Sequence, residues 1–528
     1  MVDRAAVTAW QIDNEYGCHD TTLSYSESAR AAFADWLRRK YETIDRLNAA
    51  WGTVFWSMEL RSFDEVTLPN LTVTEPNPAQ LLDFRRFSSD AVATFHRQMV
   101  AIVKRHAPGR TVTHNFMGAE TGFDHFDVAR DLDVASWDSY PLGFLERLGR
   151  DAAWKSWYLR AGDPDFQAFH HDLYRGVGRG RMWVMEQQPG PVNWAAWNPS
   201  PHPGMVRLWA LEAVAHGAEL VSFFRWRQAP FAQEQFHTGL LRSDGSDDVA
   251  ASEVRETADD LKTLAPSLSP EPPTSPIALV FDYPSAWSLE TQPQAADASG
   301  LIAALEVYRA LRRLGQSIDV VGPDADFSRY RLVVVPQLVI ATEAFADAVG
   351  RSGARVLFAP RCGSRTEAHR IPDALPPGPL RSLIDVRVLR AESLRPGARH
   401  PLQRKGTVHH WFEDIAPGPG VTVKETLEDG RPVWLASGRV SYLAGWPDET
   451  ALFDILTREL DEAGLRVLET GDDLRIRDHG ALRTIVNYGP KPHDASDLIG
   501  DGDTILLGGA TLDVAGVCVV RRAEPGAT

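Results

Sequence analysis

Short apolar segments alternate with amphipathic helical patterns through about the first 264 residues, and this alternation constrains the fold more than any other feature of the chain. Strands that are separated by whole helices form βαβ units around a parallel sheet. The helical patterns cover residues 26–41, about 80–106, about 165–175, 203–216 and 248–264. The strand candidates are residues 6–12, 111–116, 132–137, 182–186 and 219–224.

Beyond residue 264 the pattern changes twice. Residues 265–276 contain five prolines in twelve positions, which excludes a helix and is typical of a linker. Residues 277–465 again alternate and predict a doubly wound α/β domain. Its strand candidates are 277–281, 317–321, 332–335, 355–358 and 441–445, with helices at about 299–314 and 448–463. Residues 466–528 contain short strands and turns, which predict a small antiparallel β domain.

Composition excludes several classes of protein. A chain of 528 residues is long enough for roughly three domains. The net charge of −16 argues against a nucleic-acid or anionic-membrane partner, because both need a basic face. The sequence contains no transmembrane run and no signal peptide. Three widely spaced cysteines, Cys18, Cys362 and Cys518, indicate a reducing compartment, so we expect a cytoplasmic protein.

Polar side chains follow several of the predicted parallel strands. Glu15 comes after the first strand and Glu186 ends the fourth, while Asp138-Ser139-Tyr140 follows the third. A turn residue at a strand end is the ordinary explanation for any one of these side chains. The carboxyl ends of parallel barrel strands, however, form one face on which catalytic groups collect. We therefore expect these side chains to lie close together.

Two carboxylates on such a face are what glycoside hydrolysis requires. One protonates the leaving oxygen and the other attacks the anomeric carbon, and a separation of about 5–5.5 Å gives retention of configuration. Asn14, beside Glu15, could hold a sugar hydroxyl. Trp194, eight residues after Glu186, could form an apolar floor under the sugar.

Several longer segments resemble glycoside hydrolase family 42, the β-galactosidases: "WQIDNEYGCHD", "YETIDRLNAAWGTVFWS", "THNFMG", "DVASWDSYP", "VMEQQPGPVNW" and "FFRWRQAPFAQEQFHTGLL". The resemblance implies an α/β chain with three parts. These are a partial (β/α)₈ TIM barrel in residues 1–264 (strands 4–8 only), a flavodoxin-like trimerisation domain in residues 277–465, and a small C-terminal antiparallel β domain.

The resemblance also implies a role for each site residue. Glu15 corresponds to the general acid/base and Glu186 to the nucleophile, which Tyr140 could hold. Galactose binding would use Asn14, Trp194, Glu234 and His237, with Trp56 as a wall of the sugar pocket. His237 could instead be an ordinary loop histidine, and Trp56 could instead belong to a core.

No metal or cofactor is expected. Many family members carry a four-cysteine zinc cluster near the acid/base, but residues 19–40 contain no cysteine, so Cys18 lacks the companion ligands that zinc needs. Cys362 follows a strand of the second α/β domain. We interpret it as a structural residue.

The expected function is that of a retaining β-galactosidase that acts on small β-galactosides as a homotrimer. A related specificity, for β-fucosides or α-L-arabinopyranosides, stays open. The resemblance begins at the fourth barrel strand, which predicts an N-terminally truncated chain: a fragment, a late start assignment or a degraded gene. A truncated chain is expected to show little activity, and a catalytically silent remnant that only trimerises or binds sugar is the remaining alternative.

Overall fold

A computed structural model describes residues 6–523. The first region contains six short strands and nine helices within those residues. The strands are β1 (Ala9–Gln11), β2 (Thr111–Thr113), β3 (Asn115–Met117), β4 (Ala135–Ser139), β5 (Met182–Gln187) and β6 (Ala218–Phe223). The helices are α1 (Glu27–Tyr41), α2 (Ile44–Trp51), α3 (Pro78–His106), α4 (His125–Val128), α5 (Pro141–Leu145), α6 (Ala152–Trp157), α7 (Phe166–Val177), α8 (Met205–Ala215) and α9 (Val249–Leu264).

All strand pairs in this region are parallel, as the alternation predicts. β1 pairs with β2, and β3, β4, β5 and β6 follow one another in sheet order. The single strand predicted at 111–116 is two strands separated by His114. The His114 ring stacks on Tyr16 at 4.0 Å, and its Nδ1 lies 2.7 Å from the Ile12 carbonyl oxygen. This histidine therefore ties the strand break to the end of β1.

The five helices predicted for this region are confirmed to within two residues at each end. Local sequence fixes their beginnings: the Asn77 side chain caps α3 by accepting from the backbone N–H groups of Ala79 and Gln80, and Pro78 occupies the first turn. Helix α7 is almost entirely buried, because it packs against β4 on one side and against the second region on the other.

The second region is a mixed seven-stranded sheet flanked by helices. Its order is β14-β15-β16-β10-β9-β7-β8, and the five parallel strands have the sequence order 2-1-3-4-5 that flavodoxin-like folds share. The helices are α10 (Tyr283–Thr291), α11 (Gly300–Arg313), α12 (Glu343–Arg351) and α13 (Glu449–Glu462). The sheet strands are β7 (Ile277–Val280), β8 (Ile318–Val321), β9 (Leu332–Val335), β10 (Arg355–Phe358), β14 (Thr422–Thr426), β15 (Pro432–Ser437) and β16 (Val440–Leu443).

The sequence did not predict a small antiparallel sheet between β10 and α13. It consists of β11 (Val386–Ser393), β12 (His400–Pro401), β13 (Thr407–Pro417) and β17 (Gly445–Pro447). Strand β11 has only two buried residues, Val386 and Val388, in eight positions. Its apolar pattern is therefore too weak to identify it without its partner β13.

The C-terminal residues form the expected small antiparallel structure. The strands are β18 (Leu474–His479), β19 (Leu482–Asn487), β20 (His493–Asp494), β21 (Thr504–Leu507), β22 (Thr511–Leu512) and β23 (Val517–Arg521). Buried polar contacts join it to the first region: Arg475 pairs with Asp165 at 2.7 Å, and the Tyr488 hydroxyl donates to Glu212. Within residues 6–523, no helix combines the length and the apolar character needed to cross a membrane.

Candidate active site

A cavity of about 730 Å³ lies at the carboxyl ends of β1, β3, β4, β5 and β6. Parallel strands bring their carboxyl ends to one edge, which is why residues far apart in the sequence meet there. Seven of the eight predicted site residues line this cavity: Asn14, Glu15, Tyr140, Glu186, Trp194, Glu234 and His237.

Trp56 does not line this cavity. It lies after α2 in an exposed turn, where its side chain is 64% exposed and contacts the neighbouring Phe55. Val54 and Phe55 are similarly exposed. Within one chain, Trp56 therefore lies neither in the wall of the pocket nor in a core.

The backbone around Glu15 is held in an uncommon conformation. Asp13 and Glu15 have positive φ values of 56° and 44°, a region that costs energy for residues other than glycine. The Asn115 side chain supports this turn: its Nδ2 donates to Asn14 Oδ1 at 2.9 Å, and its Oδ1 accepts from Gln11 Nε2 at 2.9 Å. Strand β3 thereby fixes where Glu15 enters the cavity.

Glu186 is held by Tyr140. The Tyr140 hydroxyl donates a hydrogen bond to Glu186 Oε2 at 2.5 Å. Tyr140 is only 5% exposed, and its ring meets the rings of Trp194 and His237 edge-on at centroid distances of 5.5 and 5.7 Å. A phenol fixed in this way favours the ionised form of the Glu186 carboxyl.

Three carboxyl groups meet at the base of the cavity. One oxygen each of Glu15, Asp138 and Glu186 lies within 4.8 Å of the other two. Burial raises the pKa of Glu186 to about 7, with a further contribution from the Glu15 carboxylate. Burial also raises the pKa of Glu15, and burial together with the two glutamates raises the pKa of Asp138 well above its usual range. Burial and mutual repulsion therefore make it costly for all three carboxyl groups to be ionised at once.

Trp194 forms an aromatic wall of the cavity. Its ring contacts Phe144 at a centroid distance of 5.5 Å, and the Arg147 guanidinium lies 5.0 Å from the ring centroid. Gly143 permits this position, because a Cβ atom there would lie 2.3 Å from the Trp194 ring. A flat indole in a polar cavity is suited to contact with the C–H face of a sugar.

Glu234 and His237 occupy the side beyond β6. Glu234 forms an ion pair with Arg225. His237 Nδ1 lies 3.2 Å from Asn193 Oδ1, and its buried Nε2 has no hydrogen-bond partner in the described part of the chain. Burial lowers the pKa of His237 to about 4, so the ring is neutral near pH 7 and Nε2 can accept from a hydroxyl.

Sequence reasoning placed Asp138 among the polar residues after the third strand but gave it no role, and it did not single out Asn115. The strand predicted at 132–137 extends to Ser139, so Asp138 lies inside β4 rather than after it. Both residues are buried polar side chains beside large apolar ones, Phe116 in β3 and Trp137 in β4. That mismatch was the available signal.

The three cysteines lie apart in the structure and none forms a disulfide. Among residues 6–523, no cluster that contains a cysteine or a histidine brings its ligand atoms close enough together to bind a metal. The Cys362 thiol is buried and lies 3.4 Å from both the Val335 oxygen and the Leu338 nitrogen, and burial raises its pKa to about 12. It is an unreactive packing residue.

Two half-buried glutamates that face each other beside an aromatic wall, at the ends of parallel strands, are typical of a retaining glycoside hydrolase. A family model described as beta-galactosidase matches residues 2–264, and one described as beta-galactosidase trimerisation domain matches residues 275–466. The chain belongs to glycoside hydrolase family 42, the β-galactosidase family.

Individual relatives agree with this assignment. The chain is 51% identical over 512 residues to a beta-galactosidase of Thermus thermophilus, covering 95% of this chain and 77% of the relative. It is 39% identical over 515 residues to beta-galactosidase Bga of Halorubrum lacusprofundi, covering 92% and 73%. Among solved structures, the beta-galactosidase from the psychrophilic Marinomonas ef1 superposes with a TM-score of 0.95 at 43% identity, covering 98% of this chain and 80% of that chain.

Proposed function

We propose that this chain hydrolyses terminal β-D-galactosides by double displacement with retention of configuration. The observation that carries the proposal is the approach of Glu15 and Glu186, whose carboxyl oxygens lie within 4.8 Å across a sugar-sized cavity. Retaining enzymes need carboxyl groups about 5–5.5 Å apart, whereas inverting enzymes leave room for a water at about 6.5–9.5 Å.

Glu186 acts as the nucleophile. Its carboxylate attacks the anomeric carbon to form a galactosyl ester while the bond to the leaving oxygen breaks. The hydrogen bond from Tyr140 supports this role, because it favours the ionised carboxylate that attack requires.

Glu15 acts as the general acid and then as the general base. Its proton passes to the leaving oxygen in the first step, and its carboxylate takes a proton from water in the second, as water releases the sugar from Glu186. The raised pKa of Glu15 supports this role, because the group must be protonated when substrate binds.

The remaining cavity residues bind the galactose ring. Trp194 contacts its C–H face, the neutral His237 accepts from a hydroxyl, and Glu234, which forms an ion pair with Arg225, accepts from another. Asn115 orients Asn14, whose amide Nδ2 donates to Glu15 Oε2 at 3.4 Å and has a second N–H for a sugar hydroxyl near Glu15. These assignments follow from donor and acceptor chemistry at each position.

The parallel strands β1–β6 form part of a (β/α)₈ barrel, of which they supply five strand positions. Their uniform direction and the collection of site residues at their carboxyl ends support this architecture.

The active assembly is a homotrimer formed through residues 277–465. The match of residues 275–466 to a trimerisation domain supports this proposal. The apolar turn of Val54, Phe55 and Trp56 is then available for a neighbouring subunit, and the pocket-wall role of Trp56 would be exercised there. Light scattering of the purified chain should give three times the 58.5 kDa chain mass, and a stable monomer would contradict the proposal.

The proposed location is the cytoplasm. Three unpaired cysteines support a reducing compartment, since an oxidising one favours disulfides. Fractionation of the source cells tests this directly.

Hydrolysis of a chromogenic β-galactoside by the purified chain tests the function. Glu186→Ala should abolish turnover, and azide should restore it with the α-galactosyl azide as product, because the anion attacks from the vacated face. Glu15→Ala should keep more activity on substrates with good leaving groups, which need less protonation. With the Glu15→Ala variant, azide should yield the β-galactosyl azide. Near-normal turnover by Glu186→Ala would contradict the assignment.

A panel of glycosides decides the specificity. β-Fucosides and α-L-arabinopyranosides share the galactose ring configuration and differ in one ring substituent. A kcat/KM for either that exceeds the β-galactoside value would reassign the substrate while leaving the mechanism intact.

A further inference from the structure

Asp138 lies beside both glutamates, and the proposed roles of Glu15 and Glu186 leave it without a function. It is 1% exposed and lies within β4, which pairs with β3 on one side and with β5 on the other. Its Oδ2 accepts a hydrogen bond from Asn115 Nδ2 at 2.7 Å. Its buried Oδ1 has no hydrogen-bond donor among the described residues, and one of its carboxyl oxygens lies within 4.8 Å of an oxygen of Glu15 and of an oxygen of Glu186.

Two facing carboxyl groups can form a hydrogen bond only if one of them carries a proton, because ionised carboxylates are acceptors alone. Leaving Asp138 ionised would place a buried negative charge against two others. A buried, neutral carboxylic acid that donates a hydrogen bond avoids both costs.

We propose that Asp138 keeps a proton throughout turnover and donates it in a hydrogen bond to the Glu15 carboxyl, so that it positions the acid/base without itself transferring a proton. This inference rests on the proposed function of Glu15. It makes Asp138 a positioning residue, because it acts through Glu15.

Charge conservation through the reaction gives the proposal its physical reason. Before the first step Glu186 is ionised and Glu15 is protonated. After it, Glu186 is an uncharged ester and Glu15 is the carboxylate, because its proton has gone to the leaving oxygen. With Asp138 neutral, the three carboxyl groups carry one negative charge in both states. The Asp138 O–H then stabilises that charge when it resides on Glu15.

The surrounding charged groups reach the glutamates rather than Asp138. Cys18 and His19 face Glu15 from the loop after β1. Arg225 and Glu234 reach Glu186 from beyond β6, and Tyr140 donates to Glu186 from the strand that carries Asp138. Burial raises the pKa of Asp138 well above its usual range, with Glu186 and Glu15 as further causes, in agreement with a retained proton.

Asp138→Asn in the full chain is the decisive variant, because an amide reproduces the shape and the donor of a protonated carboxyl group. We expect kcat/KM within about tenfold of wild type and an alkaline limb of the pH profile that moves by less than about half a pH unit. Asp138→Ala removes the donor that stabilises ionised Glu15, so its alkaline limb should move to higher pH.

An ionised Asp138 would give the opposite result. Removing its charge would lower the pKa of Glu15, so both variants would move the alkaline limb to lower pH by about one unit or more. That result, or a loss above about a hundredfold in Asp138→Asn, overturns the proposal. Ser139→Ala is the matched control, since it loses a buried hydrogen bond to Gln167 from the same strand outside the cavity and should move neither limb.

An infrared difference spectrum separates this inference from the proposed function, because it requires no turnover. At pH 7, Asp138→Asn minus wild type should show the loss of one carboxylic-acid C=O band and no loss of carboxylate bands. Asp138→Ala repeats the measurement if the first variant does not fold. Loss of carboxylate bands overturns the proposal whether or not the chain hydrolyses galactosides.

Discussion

The four-stranded parallel sheet of the first region and the parallel strands of the second region's mixed sheet differ in composition. In the second region, β7 and β9 contain only buried aliphatic residues, as expected where helices cover both faces of a parallel sheet. In the first region, β3, β4 and β5 carry buried or half-buried Asn115, Asp138 and Glu186. Buried Asp319 of β8 and Arg355 of β10 in the second region each pair with an opposite charge, whereas Asp138 and Glu186 meet other carboxyl groups, which marks the sheet that performs chemistry.

The two regions also differ in the surroundings of their reactive groups. Cys362 of the second region has its thiol packed against Val335 and Leu338, and it is inert. The site of the first region gathers a positive φ at Glu15 and buried polar atoms on Asp138 and His237, which lack partners within the described residues, around one cavity. Such features cost stability and persist where they serve function. The comparison predicts that activity and stability respond to substitutions in different sheets.

Glu186→Gln should produce the largest effect, a loss in kcat/KM on the order of 10⁴-fold or more, because the nucleophile is removed while the shape is kept. Its thermal unfolding temperature should not fall. Steady-state kinetics and calorimetry on the same preparation measure both quantities. A variant whose kcat/KM stays within tenfold of wild type, or whose unfolding temperature falls, would contradict the comparison.

Phe358→Ala in β10 tests the sheet of the second region. Phe358 is fully buried, so its truncation should lower the free energy of unfolding by about 3–5 kcal/mol through lost burial and a cavity. Activity per folded molecule should stay within about twofold. Urea unfolding measures the change, and Val423→Ala, on a 39% exposed side chain of β14, serves as the control with an effect within about 0.5 kcal/mol. Equal losses in the two variants would show that burial does not set stability there.

The pH dependence of stability should distinguish Glu186→Gln from wild type. The pKa of Glu186 is about 7 when folded, above the ordinary value of 4.5, so the folded state binds the extra proton between those values. Wild-type stability from this group is therefore fully present below pH 4.5 and is lost as pH rises to 7. Glutamine removes this loss, which makes the variant more stable above pH 7 by up to about 3 kcal/mol.

Urea unfolding at pH 4.5 and pH 8 measures this gain. The control is Glu428→Gln, at an exposed position of the second region. Its difference in stability from wild type should be the same at the two pH values. A Glu186→Gln variant that is less stable than wild type at pH 8 would mean that the site carboxyl is not under electrostatic strain.

Gly143→Ala should give the smallest effect. The added Cβ would lie 2.3 Å from the Trp194 ring, so the ring must move away from the sugar. We expect KM to rise roughly tenfold with little change in stability. Gly149→Ala is the control, because a Cβ there meets no atom within 4 Å. An unchanged KM in Gly143→Ala would show that Trp194 does not set sugar affinity.

The sequence predicted those parts of the fold whose signals are local. Helices such as α3 and α9 have caps and a full amphipathic period within their own residues, and their bounds agree with the structure. The positions of Glu15 and Glu186 at strand ends were likewise readable, because a carboxylate that closes an apolar strand conflicts with its surroundings. Strands β11 and β13 were not predicted, because they are stabilised by pairing with each other and not by a local pattern.

The sequence by itself thus determined the alternation of strands and helices, the Pro-rich linker and the two glutamates, since each rests on periodicity or chemistry within a short segment. Only the tertiary structure decided that Asp138 faces both glutamates, that His114 interrupts a strand, and that Trp56 lies outside its own chain's cavity. The reason is physical. Burial and proximity arise from packing between segments 100 or more residues apart, such as those of Glu15 and Asn115, and no local pattern encodes them.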